Sequence, residues 1–133
     1  MTTPIRWRFE PAAAATRLRE VGDEMDRVLA THGVSEKARF AARLVAEEVV
    51  LNAFEHGGAT VVTLEVDPAG DPYRLVLEDD GVPLDPAARH APDAAPNLGS
   101  RGRGLVLVRG MTRSIEHRSD GGRNRLSVLL VEN

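Results

Sequence analysis

The chain has 133 residues, 42% of them hydrophobic, which suits one domain with a single sizeable core. It contains no cysteine, and this excludes disulfides, thiolate nucleophiles and cysteine metal sites. The formal net charge is −3 and both signs are interspersed, so the sequence lacks the basic footprint of a nucleic-acid binder.

The N-terminal part of the chain predicts one strand and one helix. Ile5–Phe9 alternates apolar and basic residues, as a half-exposed strand does. Pro11 opens an alanine-rich helix that we expect to continue to about Ala30. No basic segment followed by an apolar run precedes the strand, and no stretch of the sequence is long and apolar enough to cross a bilayer. We therefore expect a cytoplasmic protein with no membrane partner.

The second predicted helix carries polar residues on an apolar face. Ser35 is predicted to cap its start, and Gly57-Gly58 its end. A rotation of about 100° per residue places Glu48, Asn52 and His56 in one row, flanked by apolar side chains. The carboxylate of Glu48 and the amide of Asn52 could belong to a buried hydrogen-bond network that only fixes the position of the helix. The same pair equally suits a functional site, where the carboxylate accepts a proton and the amide oxygen binds magnesium.

The neighbouring Glu47 is predicted to have different surroundings from Glu48. It falls on the opposite side of the helix, where we expect it to pair in solvent with Arg43, one turn back. Glu48 instead lies on the apolar side of the helix, where a carboxylate is expected only in a protected cleft or beside a partner.

The rest of the chain predicts two hairpins with a lid between them. The hairpin strands are Thr60–Val66 with Tyr73–Glu78, and Arg113–Arg118 with Arg123–Val131. A lid-like loop at about residues 84–101 leads into a short helix that ends near Met111. This order predicts an α+β fold: a two-layer α/β sandwich whose mixed, mostly antiparallel sheet is covered by helices on one face. We expect a single domain over residues 1–133.

Asp79 and Gly81 follow the second strand of the first hairpin. An Asp-x-Gly sequence at this place is often no more than a turn. A carboxylate such as Asp79 can also accept a hydrogen bond from the exocyclic amino group of adenine, and Gly81 would let the backbone approach the ring edge.

A glycine-rich stretch before the last predicted helix is suited to phosphate. Gly102 and Gly104 expose amides at a helix N-terminus, where the dipole favours anions, and Arg101 and Arg103 add positive charge. A Gly-x-Gly sequence before a helix is also common in flexible loops that bind no ligand. The only lysine, Lys37, has no glycine loop before it, so a Walker P-loop is excluded.

Taken in order, four segments resemble the N, G1 and G2 boxes and the terminal strand of histidine-kinase-like (GHKL, Bergerat-fold) ATPases: EEVVLNAFEH, LEDDGVPLDP, RGRGLVLVRGM and GGRNRLSVLL. Their compact form is similar to the anti-sigma-factor serine/threonine kinases of bacterial partner-switching modules. The resemblance implies an ATP-dependent kinase that phosphorylates a serine of a STAS-domain anti-anti-sigma factor and alternatively sequesters a sigma factor. It also suggests a homodimer paired near the first strand.

The resemblance implies a role for each residue of the site. Glu48 would be the general base and Asn52 the Mg²⁺ ligand. Binding of ATP or ADP would involve Asn52, Asp79, Gly81, Arg101, Gly102, Arg103, Gly104, Leu105 and Asn124. Asn124 stands where many of these ATPases carry a Gly-Thr pair, so we expect the contacts on the adenine side to differ from theirs.

Two other functions fit parts of the same pattern. One is a nucleotide-binding module that sequesters a partner with little or no kinase activity. The other is the catalytic piece of a sensor histidine kinase, which would need a phosphoacceptor histidine on a pair of helices. The segment before the first box is too short to supply that pair, so we expect the anti-sigma kinase.

Overall fold

The computed structural model describes residues 4–83 and 110–132. Within them the chain forms two helices and five strands: β1 Ile5–Phe9, α1 Ala14–Thr31, α2 Glu36–Glu55, β2 Val62–Val66, β3 Arg74–Asp79, β4 Thr112–Asp120 and β5 Arg123–Leu130. The predicted α+β fold is confirmed. The predicted lid-like loop and the helix after it lie outside the described residues, apart from Gly110 and Met111, which form a turn.

The five strands form one sheet in the order β1-β2-β3-β5-β4. Every strand pair in the described residues is antiparallel, so the mixture of directions that we predicted is absent from this part of the chain. Because β5 inserts between β3 and β4, the last hairpin is joined to the first through β5. This pairing places the start of β5 beside the end of β3.

One face of the sheet is apolar and forms the core. Trp7 and Phe9 of β1 are buried on it, opposite Leu64 and Val62 of β2, as the alternation in the sequence predicts. The intervening Arg6 lies on the other face and donates to Glu65 with a nitrogen–oxygen distance of 2.7 Å. The charged face of the sheet is thus held by cross-strand pairs.

Both helices cover the apolar face. Helix α2 packs against β2, β3 and β5, whereas α1 packs against β1 and α2. The two helices are also linked by charge: Arg43 of α2 donates to Asp23 of α1 at 2.6 Å. The predicted pair between Arg43 and Glu47 was therefore wrong, because the longer reach of the arginine finds a carboxylate on the neighbouring helix.

The helix ends agree with the sequence for α2 but not for α1. The Ser35 side chain accepts from the Ala38 amide, and Gly58 adopts a φ of 65° just after α2, as predicted. Helix α1 begins at Ala14, three residues later than Pro11, because Ala13 adopts a left-handed φ of 59°. No helix in the described ranges is long and apolar enough to span a bilayer.

Candidate functional site

Two of the three residues in the polar row of α2 are buried. Glu48 is 9% exposed and Asn52 is 5% exposed, whereas the adjacent Glu47 faces solvent. His56, the third member of the row, is exposed at the end of the helix. The predicted difference between the two glutamates is confirmed, and α2 carries two buried polar side chains one turn apart.

Asp79, the last residue of β3, is held in place through one of its two carboxylate oxygens. Its Oδ1 accepts from the Gly81 amide at 2.8 Å and from Nδ2 of Asn124 at 2.9 Å. All the hydrogen bonds to the Asp79 side chain from other described residues end on Oδ1. Within the described part of the chain, Oδ2 is therefore the acceptor that remains for a ligand, such as an exocyclic amino group.

Asn124 closes this end of the sheet. It is 7% exposed and is paired with Asp79 in the register of β3 and β5. Besides Asp79, its Nδ2 faces the carbonyl oxygens of Gly81 at 3.1 Å and Val82 at 3.0 Å. Its Oδ1 accepts from the Ser119 hydroxyl at 2.6 Å. The structure thus brings together three residues that the sequence predicted separately for the adenine side, and it adds Ser119.

Asp80, next to Asp79, has a structural task that the sequence did not reveal. It accepts from the Thr60 amide at 2.7 Å and the Val61 amide at 3.1 Å, and also from the Thr60 hydroxyl. The bonds from Thr60, followed by the bond from Val61, lower the pKa of Asp80 to about 2 from 3.8. Their stabilising effect is complete above the unfolded pKa and is lost as the pH falls through about 2, so the link is intact at neutral pH.

Gly81 is placed against the end of α2. The amide of the next residue, Val82, donates to the carbonyl oxygen of Gly57 at 2.9 Å. A Cβ atom on Gly81 would lie only 2.7 Å from that same oxygen. The close approach predicted for Gly81 is thus made to the backbone of Gly57, two residues after α2, and a role toward a ligand ring stays a prediction. This contact joins the exit of β3 to the helix that carries Glu48 and Asn52.

Replacing Gly81 with alanine should therefore destabilise the fold by about 1–3 kcal/mol, because the new methyl group would meet backbone that has little room to move. Urea denaturation of the variant would measure this loss. Gly22→Ala is the matched control: a Cβ atom there meets only the flexible side chain of Arg43, at 2.9 Å from Nε. Since alanine also favours the helix by about 1 kcal/mol, the control should remain close to wild-type stability. Equal losses in both variants would contradict this assignment.

The phosphate side of the predicted site falls outside the described residues, since Arg101, Gly102, Arg103, Gly104 and Leu105 all lie there. For magnesium, the buried carboxamide of Asn52 offers an oxygen of the hard type that this ion prefers. The described residues contain no group of three or more His, Cys, Asp or Glu side chains that could hold a metal ion by themselves. Such a donor set fits Mg²⁺ bound by one or two protein oxygens together with phosphates and water.

An antiparallel sheet covered on one face by helices, with an acceptor carboxylate at the end of β3, defines a two-layer α+β domain with a candidate ligand site. The family model described as the histidine kinase-like ATPase domain matches residues 11–130. The chain therefore belongs to the histidine kinase-like ATPase domain family and is a nucleotide-binding, kinase-like ATPase domain. No curated protein matches the chain.

Proposed function

We propose that this domain is an ATP-dependent protein serine/threonine kinase and anti-sigma factor of a partner-switching module. It would phosphorylate a STAS-domain anti-anti-sigma factor and alternatively sequester a sigma factor. The observation that supports this proposal best is the pair of buried polar side chains on α2, Glu48 and Asn52, which lie one turn apart. The compact arrangement of the sequence motifs supports the choice of branch within the family.

Each side chain of the pair has a separate task in this reaction. The acceptor serine carries a neutral hydroxyl, and a carboxylate oxygen of Glu48 would take its proton as the oxygen attacks phosphorus. The Asn52 oxygen would hold Mg²⁺, which when bound neutralises phosphate charge. Burial of both groups excludes water from the proton acceptor and fixes their rotamers.

At the other end of the nucleotide, Asp79 would accept a hydrogen bond from the adenine amino group through Oδ2. Because Oδ1 is already bound to Gly81 and Asn124, the orientation of the carboxylate is set before the nucleotide arrives. Arg101 and Arg103 are proposed to neutralise the γ-phosphate in place of the lysine that a P-loop would provide. The nucleotide would then be ATP before transfer and ADP after it.

A homodimer is part of the proposal. In the described sheet β1 is an edge strand, paired only with β2, and its outer backbone groups are those that a second strand could pair with. A second copy of the chain could use them. Sedimentation of the purified protein would show whether the working form is a dimer.

Calorimetric titration of the wild-type protein with ATP, with and without Mg²⁺, tests the nucleotide site, and transfer of labelled γ-phosphate to purified STAS-domain proteins tests the kinase. We expect Mg²⁺-dependent binding and label on a serine of one such protein. ATP binding without transfer, together with binding of a sigma factor, would instead indicate the partner-sequestering module. Failure to bind ATP even in the millimolar range would refute the kinase.

A further inference from the structure

The carboxamide of Asn124 has only one orientation that satisfies its surroundings. Its Nδ2 carries two hydrogens and faces three acceptors, namely Asp79 Oδ1 and the carbonyl oxygens of Gly81 and Val82. The reversed amide would turn an oxygen toward all three, which is repulsive. The residue is 93% buried, so solvent offers little relief.

Ser119 of β4 completes this arrangement from the far side. Its hydroxyl has one hydrogen, which it donates to Asn124 Oδ1 at 2.6 Å. The hydroxyl oxygen also lies 3.3 Å from Nε2 of His117. A chain of directed hydrogen bonds thus leads from β4 across β5 to Asp79 on β3, although β4 and β3 are not neighbours in the sheet.

The geometry points to Ser119 and Asn124 as positioning residues that fix which oxygen of Asp79 is offered to the base. The inference rests on the proposed nucleotide site, where Oδ2 of Asp79 receives the purine amino group. With Oδ1 bound to both Asn124 and the Gly81 amide, rotation of the carboxylate plane is restricted. Without the hydrogen bond from Ser119, Oδ1 of Asn124 is no longer held. The Asn124 amide can then move, and the Asp79 carboxylate gains freedom to rotate.

This freedom has different consequences for two purines. A 6-amino purine loses part of a directed hydrogen bond when the carboxylate turns. A 6-oxo purine presents an acceptor to the same carboxylate, so it gains no such bond in the first place and has little to lose. Loosening Asp79 should therefore reduce the preference for ATP over ITP. A general loss of structure would reduce both affinities by the same factor.

The test is calorimetric titration of wild type and Ser119→Ala with ATP and with ITP. We expect wild type to prefer ATP, and Ser119→Ala to lose about fivefold in ATP affinity, comparable with one net hydrogen bond, with ITP affinity nearly unchanged. Ser114→Ala is the matched control, because Ser114 is an exposed serine of the same strand that lies opposite Leu129, away from Asn124.

A second pair of variants separates the hydroxyl from the shape of the side chain. Ser119→Thr keeps the hydroxyl and Ser119→Val removes it at nearly the same volume, and both β-branched residues suit a strand. Threonine should retain the wild-type ratio of ATP to ITP affinity, and valine should lower it as alanine does. An unchanged ratio in Ser119→Ala and Ser119→Val would overturn the inference while leaving the kinase proposal intact. Absence of any ATP preference in wild type would overturn it as well, whereas missing phosphotransfer alone would count against the kinase only.

Discussion

Replacing Glu48 with glutamine should reduce phosphotransfer to the serine substrate by about 100- to 10,000-fold, the range expected when a general base is removed. Glutamine has nearly the same shape as glutamate, and the side chain is 9% exposed, so the packing of α2 against the sheet should survive. The proton of the attacking hydroxyl would then lack its acceptor. ATP affinity should change little, because binding does not require that proton transfer. Single-turnover transfer of labelled phosphate, together with calorimetry, measures the two effects separately.

The neighbouring residue is the control for this experiment. Glu47→Gln makes the identical chemical change one position away, on the exposed side of the same helix. It should leave transfer at the wild-type rate. A Glu48→Gln protein that still transfers phosphate at the wild-type rate would remove Glu48 as general base. Equal losses in both variants would indicate that helix charge, rather than a specific proton acceptor, controls the rate.

The second large effect is expected for Asn124→Asp, which exchanges one amide group for an oxygen. The new carboxylate would turn an oxygen toward Asp79 Oδ1 and the carbonyl oxygens of Gly81 and Val82, where three donated contacts now exist. An uncompensated charge at a site that is 7% exposed should destabilise the fold by about 3 kcal/mol at neutral pH. If Asp79 binds the base as proposed, ATP affinity should fall as well, since its carboxylate is repelled from its position.

The pH dependence of this variant identifies the cause. Two facing carboxylates raise each other's pKa, so one of them takes up a proton more readily than usual and can then donate to the other. The stability lost at neutral pH should therefore be partly recovered at about pH 5, above the usual range of aspartate. Urea denaturation at both pH values measures this recovery.

Asn124→Thr is the comparison for Asn124→Asp. Threonine places a neutral hydroxyl donor near Asp79 and introduces no charge, so its effect on stability should be much smaller. If Asn124→Thr and Asn124→Asp were equally destabilised, or if the loss in Asn124→Asp did not depend on pH, repulsion between carboxylates would not be the explanation.

The main elements of the fold could be predicted from local chemistry. The alternation in Ile5–Phe9 and the Ser35 cap each specify their element within a few residues, and the structure has both elements at those places. The start of α1 could not be predicted, because it depends on the left-handed conformation of Ala13, which alanine rarely adopts. The ion pair of Arg43 with Asp23 could not be predicted either, because it depends on how α1 and α2 pack.

For the site, the sequence identified residues but not their contacts. Burial of Glu48 and Asn52 follows from helical periodicity, and this was predictable. The bond between Asn124 and Asp79 depends on the register of β5 against β3, which joins residues 45 positions apart. The sequence also could not show that the adjacent residues Asp79 and Asp80 have different partners. Only the structure shows that Asp80 binds Thr60 and Val61, just before β2, while Asp79 binds Asn124.

The placement of β5 between β3 and β4 affects the order in which the protein can mature on the ribosome. Asp79 and Gly81 are synthesised well before their partner, Asn124, which belongs to the last strand of the described sheet. One edge of the core strand β3 therefore stays open until β5 emerges, and only then can Asn124 bind Asp79, the carboxylate proposed to bind the base. A nascent chain that still lacks β5 therefore has an unfinished candidate site, because Asn124 is not yet present to bind Asp79.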